Sequence, residues 1–99
     1  MIARQWRGVA QSNHARRYVE HLRTETFPAL RELPGFVDAS IYSRALAHGI
    51  EFLVVTRWES LDAISAFAGP DPENAVVPAE VAAMMIDYDR RVTHFEVIE

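Results

Sequence analysis

Five residue types in this chain could do chemistry, and their spacing limits which kind. There are four histidines and no cysteines, so a thiolate nucleophile and a thiolate metal site are both absent. Tyr18 and His21 stand one turn apart on a helical stretch, so Tyr18 could donate a hydrogen bond while His21 takes a proton. His94 lies mid-strand, with its ordinary pKa near the working range, and is the second candidate base. His14 and His21 are seven residues apart, about 10 Å along a helix axis, too far to share one metal ion. Arg4, on the face of Trp6, and Arg44, on the face of Tyr42, could hold an anionic oxygen through charge-assisted hydrogen bonds. Trp58 could be a pocket wall that offers its indole N–H, and Asn74 sits in a Pro-rich connection over a possible pocket mouth.

Each candidate has a plainer reading. Trp58 also suits a core aromatic at a strand end. The arginines suit solvated or interface positions. His94 suits a core or interface histidine, His14 a solvated face, and Asn74 a local backbone cap. No Gly-rich phosphate loop, Ser/His/Asp elbow or catalytic carboxylate pair can be found. The sequence therefore calls for no cofactor and no metal.

The elements that must position these residues follow from periodicity. Ile2 to Arg7 alternates as a strand. Ser12 or Asn13 can cap a helix carrying Ala15, Tyr18, Val19 and Leu22, which Pro28 should kink and Pro34-Gly35 should end. Phe36 to Arg44 reads as a second strand, with Val37, Ala39 and Ile41 opposite Phe36, Asp38 and Tyr42. Glu51 to Trp58 reads as a third, with Phe52, Val54, Thr56 and Trp58 on one face. Ser60 caps a helix that Gly69-Pro70 ends. Asp71-Pro72-Glu73 resembles another cap, Pro78 opens a last helix to about Ile86, and Arg91 to Ile98 reads as the final strand.

The order β-α-β-β-α-β predicts an α+β, ferredoxin-like sandwich: a four-stranded antiparallel sheet with helices on one face. Ninety-nine residues make one domain, 1–99, with a thin core. The third strand is apolar on both faces, and the helices can cover only one. A second copy, sheet against sheet, is the economical cover, so a homodimer is expected.

A net charge of −4 without a basic patch argues against nucleic acid. All ten basic residues are arginine, which suggests a GC-rich, bacterial coding bias. No apolar segment suits a signal peptide or a membrane span, so a cytoplasmic protein is expected.

The ordered set "RQWRG", "LPGFVDASIYSR", "IEFLVVTRWESLDAISAFAG", "NAVVPAE" and "VTHFEV" resembles the antibiotic biosynthesis monooxygenase (ABM) family of dimeric α+β barrels, across nearly the whole chain. That resemblance implies the sandwich and the dimer, but no single reaction. Its haem-degrading branch uses an asparagine on the first strand, a helical tryptophan and a histidine. Here the first strand carries Arg4, Gln5 and Trp6, the tryptophan position falls near Phe67 and the histidine position near Val76-Val77. The better fit is a cofactor-independent monooxygenase of a small phenolic or quinol-type molecule, in which the deprotonated substrate itself reduces dioxygen. Trp58, Tyr18, Tyr42, Arg4 and Asn74 would orient it, with His21 or His94 as base. The alternatives are a non-enzymatic small-molecule-binding protein on the same scaffold, or an isomerase or cyclase that needs no oxygen.

Overall fold

The computed structural model describes residues 1–99. Strand β1 is Ile2–Ala10, β2 Phe36–Leu46, β3 Gly49–Trp58, β4 Met85–Tyr88 and β5 Thr93–Glu96. The first helical stretch comprises a short 3-10 turn, α1 Ala15–His21, a π turn Leu22–Thr26 and α2 Phe27–Arg31; α3 is Leu61–Ala68 and α4 Ala79–Ala82. The strand order is β2-β3-β1-β4, with β5 also on β1, and every pairing is antiparallel. This is the expected ferredoxin-like arrangement, with one edge position shared by two short strands.

The shared edge corrects the expectation of four strands. The last helix stops at Ala82, and Met85–Tyr88, expected to begin as helix, pairs with β1. A short apolar run such as Met84-Met85-Ile86 does not distinguish helix from strand by period alone. Between β4 and β5 the chain leaves β1 and pairs with the loop before α4. Ala75 donates to the Arg90 carbonyl at 3.0 Å, and Val92 donates to the Glu73 carbonyl at 2.8 Å. Asp71-Pro72-Glu73 is accordingly a turn rather than a helix start. The Asp71 carboxylate accepts from the Glu73 N–H at 3.1 Å and pairs with Arg91 at 2.9 Å.

Alternation on β3 is as read: Phe52, Val54, Thr56 and Trp58 are buried beneath the helices. On β2 a bulge after Phe36 changes the facing. Phe36 pairs opposite Trp58 and joins the core with Ala39 and Ile41, whereas Val37 is exposed. An extra residue in one strand reverses the faces on either side of it. The core gathers Tyr18, Leu22, Phe27 and Leu30 from the first helical stretch, Ile64 from α3, and Val81, Met84 and Met85 near the chain's end.

Ser60 caps α3, its hydroxyl accepting from the Ala63 N–H at 3.2 Å. Gly35, at φ +86°, makes the turn into β2, a backbone region that side chains rarely adopt. The other sheet face has no helix over it. It carries Tyr42, Leu53, Val55 and Phe95 among the ion pairs Arg57–Asp38 and Arg7–Glu51–Arg44.

Candidate functional site

Between the sheet and the helices lies a half-open cavity of about 70 Å³. Trp6, Val54 and Thr56 form its floor, Tyr18, Leu22, Thr26, Phe27 and Leu30 one wall, and Phe67 with Val76, Val77 and Pro78 the other; Arg4, Val81 and Val92 complete it. Eleven of its fifteen lining residues are hydrophobic, so any polar group placed there acts in a dry setting.

Two local features bring the wall residues in. The π turn, one residue wider than an α turn, spans Leu22 to Thr26 just before Pro28, so Leu22, Thr26 and Phe27 all reach the cavity. Gly8 makes room for Trp6. A Cβ on Gly8 would collide with the indole ring and crowd the Met85 sulfur. The Trp6 indole N–H donates to the Asp89 carbonyl at 2.9 Å, which fixes the ring across β1.

Arg4 is the cavity's charged residue. It is only 4% exposed, and no carboxylate pairs with it. Its Nη1 donates to the Pro72 carbonyl and lies 3.1 Å from His94 Nε2; its Nη2 donates to the Asn74 carbonyl at 2.7 Å. The guanidinium also stands over the Phe67 ring at 5.6 Å. A guanidinium has five N–H donors, so Nε–H and one Nη2 hydrogen remain uncommitted. Burial without a counter-ion pulls the Arg4 pKa down to about 10, which still leaves it charged at neutral pH.

Tyr18 is buried against Phe52 and Trp6, at 5.0 and 6.0 Å between rings. Its hydroxyl makes no hydrogen bond within the protein. Burial raises its pKa, so it remains a protonated donor.

The other candidates fall elsewhere. Trp58 is fully buried and is core. Its N–H donates to Thr56 Oγ1 at 2.9 Å, its ring stacks on Phe67, and it lies behind the cavity wall. It shapes the cavity through Thr56, whose oxygen it occupies. Tyr42 is 57% exposed on the helix-free face, because its register partner Leu53 faces that way. Asn74 is exposed and contributes a backbone carbonyl to Arg4. Arg44 pairs with Glu51 on the helix-free face.

Neither expected base lines the cavity. His21 lies against Glu80, Nδ1 to Oε1 at 3.6 Å. His94 stands behind Arg4, opposite it in the β1–β5 register. Burial, then the nearby Arg4 charge, lowers the His94 pKa, with Glu73 opposing. Since a guanidinium can only donate, His94 Nε2 is the acceptor and the ring proton sits on Nδ1. Of the candidates only Arg4 and Tyr18 line the cavity; Trp6, Thr26, Phe27, Thr56 and Phe67 are among the lining residues not foreseen as site residues. For Trp6 the signal was available, because it shares Arg4's alternation on β1.

No protein-family model matches the sequence, and a search of curated proteins finds no match. Solved structures do match. A proposed antibiotic biosynthesis monooxygenase from Bacillus cereus superposes with TM-score 0.65 at 20% identity, covering 99% of this chain and 91% of that one. A monooxygenase of Streptomyces coelicolor, ActVA-Orf6, solved in complex with nanaomycin D, gives TM-score 0.66 at 20% identity over 99% and 87%. The haem degrader MhuD of Mycobacterium tuberculosis, solved with two haems in its active site, gives 0.58 at 20% over 98% and 96%.

The residues here do not fit a haem. No imidazole lines the cavity to ligate iron, and a tetrapyrrole is many times larger than the enclosed space. No cluster of three His, Asp or Glu side chains stands elsewhere to hold a metal ion. What the solved structures share with this chain is its overall architecture: its fold is that of the antibiotic biosynthesis monooxygenase structures.

Proposed function

We propose that this protein is a cofactor-independent monooxygenase of a small phenolic or quinol-type molecule. The observation that carries the reading is Arg4: a buried cation without a counter-ion, on a cavity walled by aromatic and aliphatic side chains. Such a cation stabilises a bound phenolate and the negative charge that passes to oxygen. The anion gives one electron to dioxygen, and the resulting radical and superoxide combine at a ring carbon. The peroxide anion takes up a proton from solvent, equal to the one the substrate O–H gave up, and the hydroperoxide then loses water with the hydrogen of that carbon. One C–H, one proton and one dioxygen thus turn the phenolate ring carbon into a carbonyl and release one water. Tyr18 donates to the substrate oxygen, and the apolar walls keep bulk water away. The fold neighbours include a monooxygenase solved with nanaomycin D bound, which supports the class.

The same reading makes residues 1–99 a single domain that forms a homodimer through the helix-free face, where Leu53, Val55, Tyr42 and Phe95 lie together. Oxygen uptake in chelator-treated buffer, with a series of phenols and hydroquinones that extends to members ionised near neutral pH, tests the activity. Uptake that Arg4→Gln removes supports it; no uptake with any member sinks it. A binding protein without turnover is the second reading, favoured by one observation: no proton acceptor lines the cavity.

A further inference from the structure

The polar side chains of the cavity are Arg4, Trp6, Tyr18, Thr26 and Thr56. Arg4 has two N–H donors to spare. Tyr18 has an uncommitted hydroxyl held in its protonated form. The Thr56 oxygen already accepts from Trp58, so its own hydrogen is free to donate. Trp6 has its N–H engaged by Asp89. No carboxylate or imidazole lines the cavity, so nothing in its wall takes up a proton.

Arg4 also differs from the arginines on the sheet and beside the loop. Arg7 and Arg44 share Glu51, Arg57 grips Asp38 with two hydrogen bonds, and Arg91 pairs with Asp71. Arg4, more buried than any of them, has no carboxylate, only the dipoles of two carbonyls and one imidazole and the face of the Phe67 ring. Around it stand His94 on β5 and, in the covering loop and segment, Asp71, Glu73 and Arg91; both acids turn to Arg91. A buried charge without a counter-ion is costly, and an entering anion offsets that cost.

Size limits the anion. The enclosed space of about 70 Å³ is roughly half the ~150 Å³ cavity known to admit benzene. One ring enters by its oxygen-bearing edge, and the rest lies in the mouth beside Val76 and Pro78.

We infer that the ligand of this cavity is a single-ring oxyacid that ionises unaided near neutral pH, such as a hydroxyquinone or an enolised cyclic 1,3-dicarbonyl, and that Arg4 selects its anion. The O–H proton goes to bulk water before entry, and no protein base takes part. The inference rests on the reading of this cavity as the reaction site. It replaces the histidine base by the ligand's own acidity.

4-Nitrophenol tests it, because its phenolate is coloured and it is not consumed. Titrated with the wild-type protein, bound nitrophenol should be the phenolate at a pH where the free compound is neutral. Its apparent pKa should fall by at least one unit, a tenfold preference for the anion. 4-Nitroanisole, which cannot ionise, should bind at least tenfold more weakly. Arg4→Gln should abolish the shift and Arg4→Lys retain part of it; His21→Gln should leave it intact. Neutral bound nitrophenol, equal binding of the anisole, no binding of nitrophenol, or loss of the shift in His21→Gln would each overturn the inference. The wild-type comparison decides the matter even if Arg4→Gln does not fold. Absent oxygen uptake with intact anion selection would refute the oxygenase alone.

Discussion

Arg4 Nη1 and His94 Nε2 stand 3.1 Å apart, on β1 and β5, opposite one another in register. The contact places the imidazole proton on Nδ1 and makes His94 a support for the cation rather than a base facing the cavity. Protonating His94 would set two cations side by side.

Stability should therefore fall on mild acidification. The folded-state pKa of His94 lies below its ordinary value, by burial first and Arg4 second. The unfolded chain takes up that proton first as pH drops below about 6.5. The His94 contribution is complete above that pH and is lost as pH falls through the folded value. Melting temperature followed from pH 8 to pH 5 should decline, and His94→Gln should flatten the decline. An unchanged slope in that variant would remove His94 from the account.

A second acid response comes from the helix-free face. Hydrogen bonds from Arg44 and then Arg7 lower the Glu51 pKa. Its contribution is present above the ordinary glutamate value, about 4.3, and lost as pH falls through the lower folded one. Glu51→Gln should melt lower than wild type at pH 7 and converge with it in strong acid. The measurement is a pair of melting curves.

Gly8→Ala tests whether Trp6 is seated by its neighbour. The added methyl would strike the indole. Overpacking of this kind costs about 1–3 kcal/mol, and ring displacement should weaken nitrophenol binding and alter Trp6 fluorescence in a Trp58→Phe background. Wild-type binding and stability together would show that the ring has room to shift.

Trp58→Phe should separate core from site. It removes the N–H donated to Thr56, worth about 1 kcal/mol, and leaves a partly filled space behind Phe67. Stability should drop while anion binding changes by no more than about threefold. A large binding loss with unchanged stability would place Trp58 in the site after all.

Val55→Glu addresses the partner. Val55 lies on the face that no helix covers, between Gln5 and Ser40 in register. Sedimentation should show a dimer for the wild type and a monomer for the variant, since a buried unpaired carboxylate opposes association. A wild-type monomer at micromolar concentration would reject sheet-to-sheet pairing.

Local pattern was enough for the architecture. Alternation marked β1, β2 and β3, the Ser60 cap and Gly69 bounded α3, and Pro34-Gly35 closed the first helical stretch. These signals are legible because they depend on neighbours within a few residues. The π turn, the bulge after Phe36 and the strand Met85–Tyr88 are not legible in that way. The strand is fixed by pairing with β1 and the bulge by register with β3, while the π turn sets Leu22 in the core.

The sequence by itself determined that Arg4 and Trp6 share a face, that Trp58 shares one with Thr56, and that one face of β3 would lack a helix. It also supplied the residues near Phe67 and Val76-Val77 that leave no haem ligand. Only the tertiary structure decided which of these side chains meet. It brought a loop sixty-eight and seventy residues away onto Arg4 through Pro72 and Asn74, buried Trp58 behind Phe67, and kept His21 and His94 out of the cavity wall. The physical reason is distance along the chain. Faces follow from backbone periodicity, but the partner of a buried charge is set by where remote segments pack.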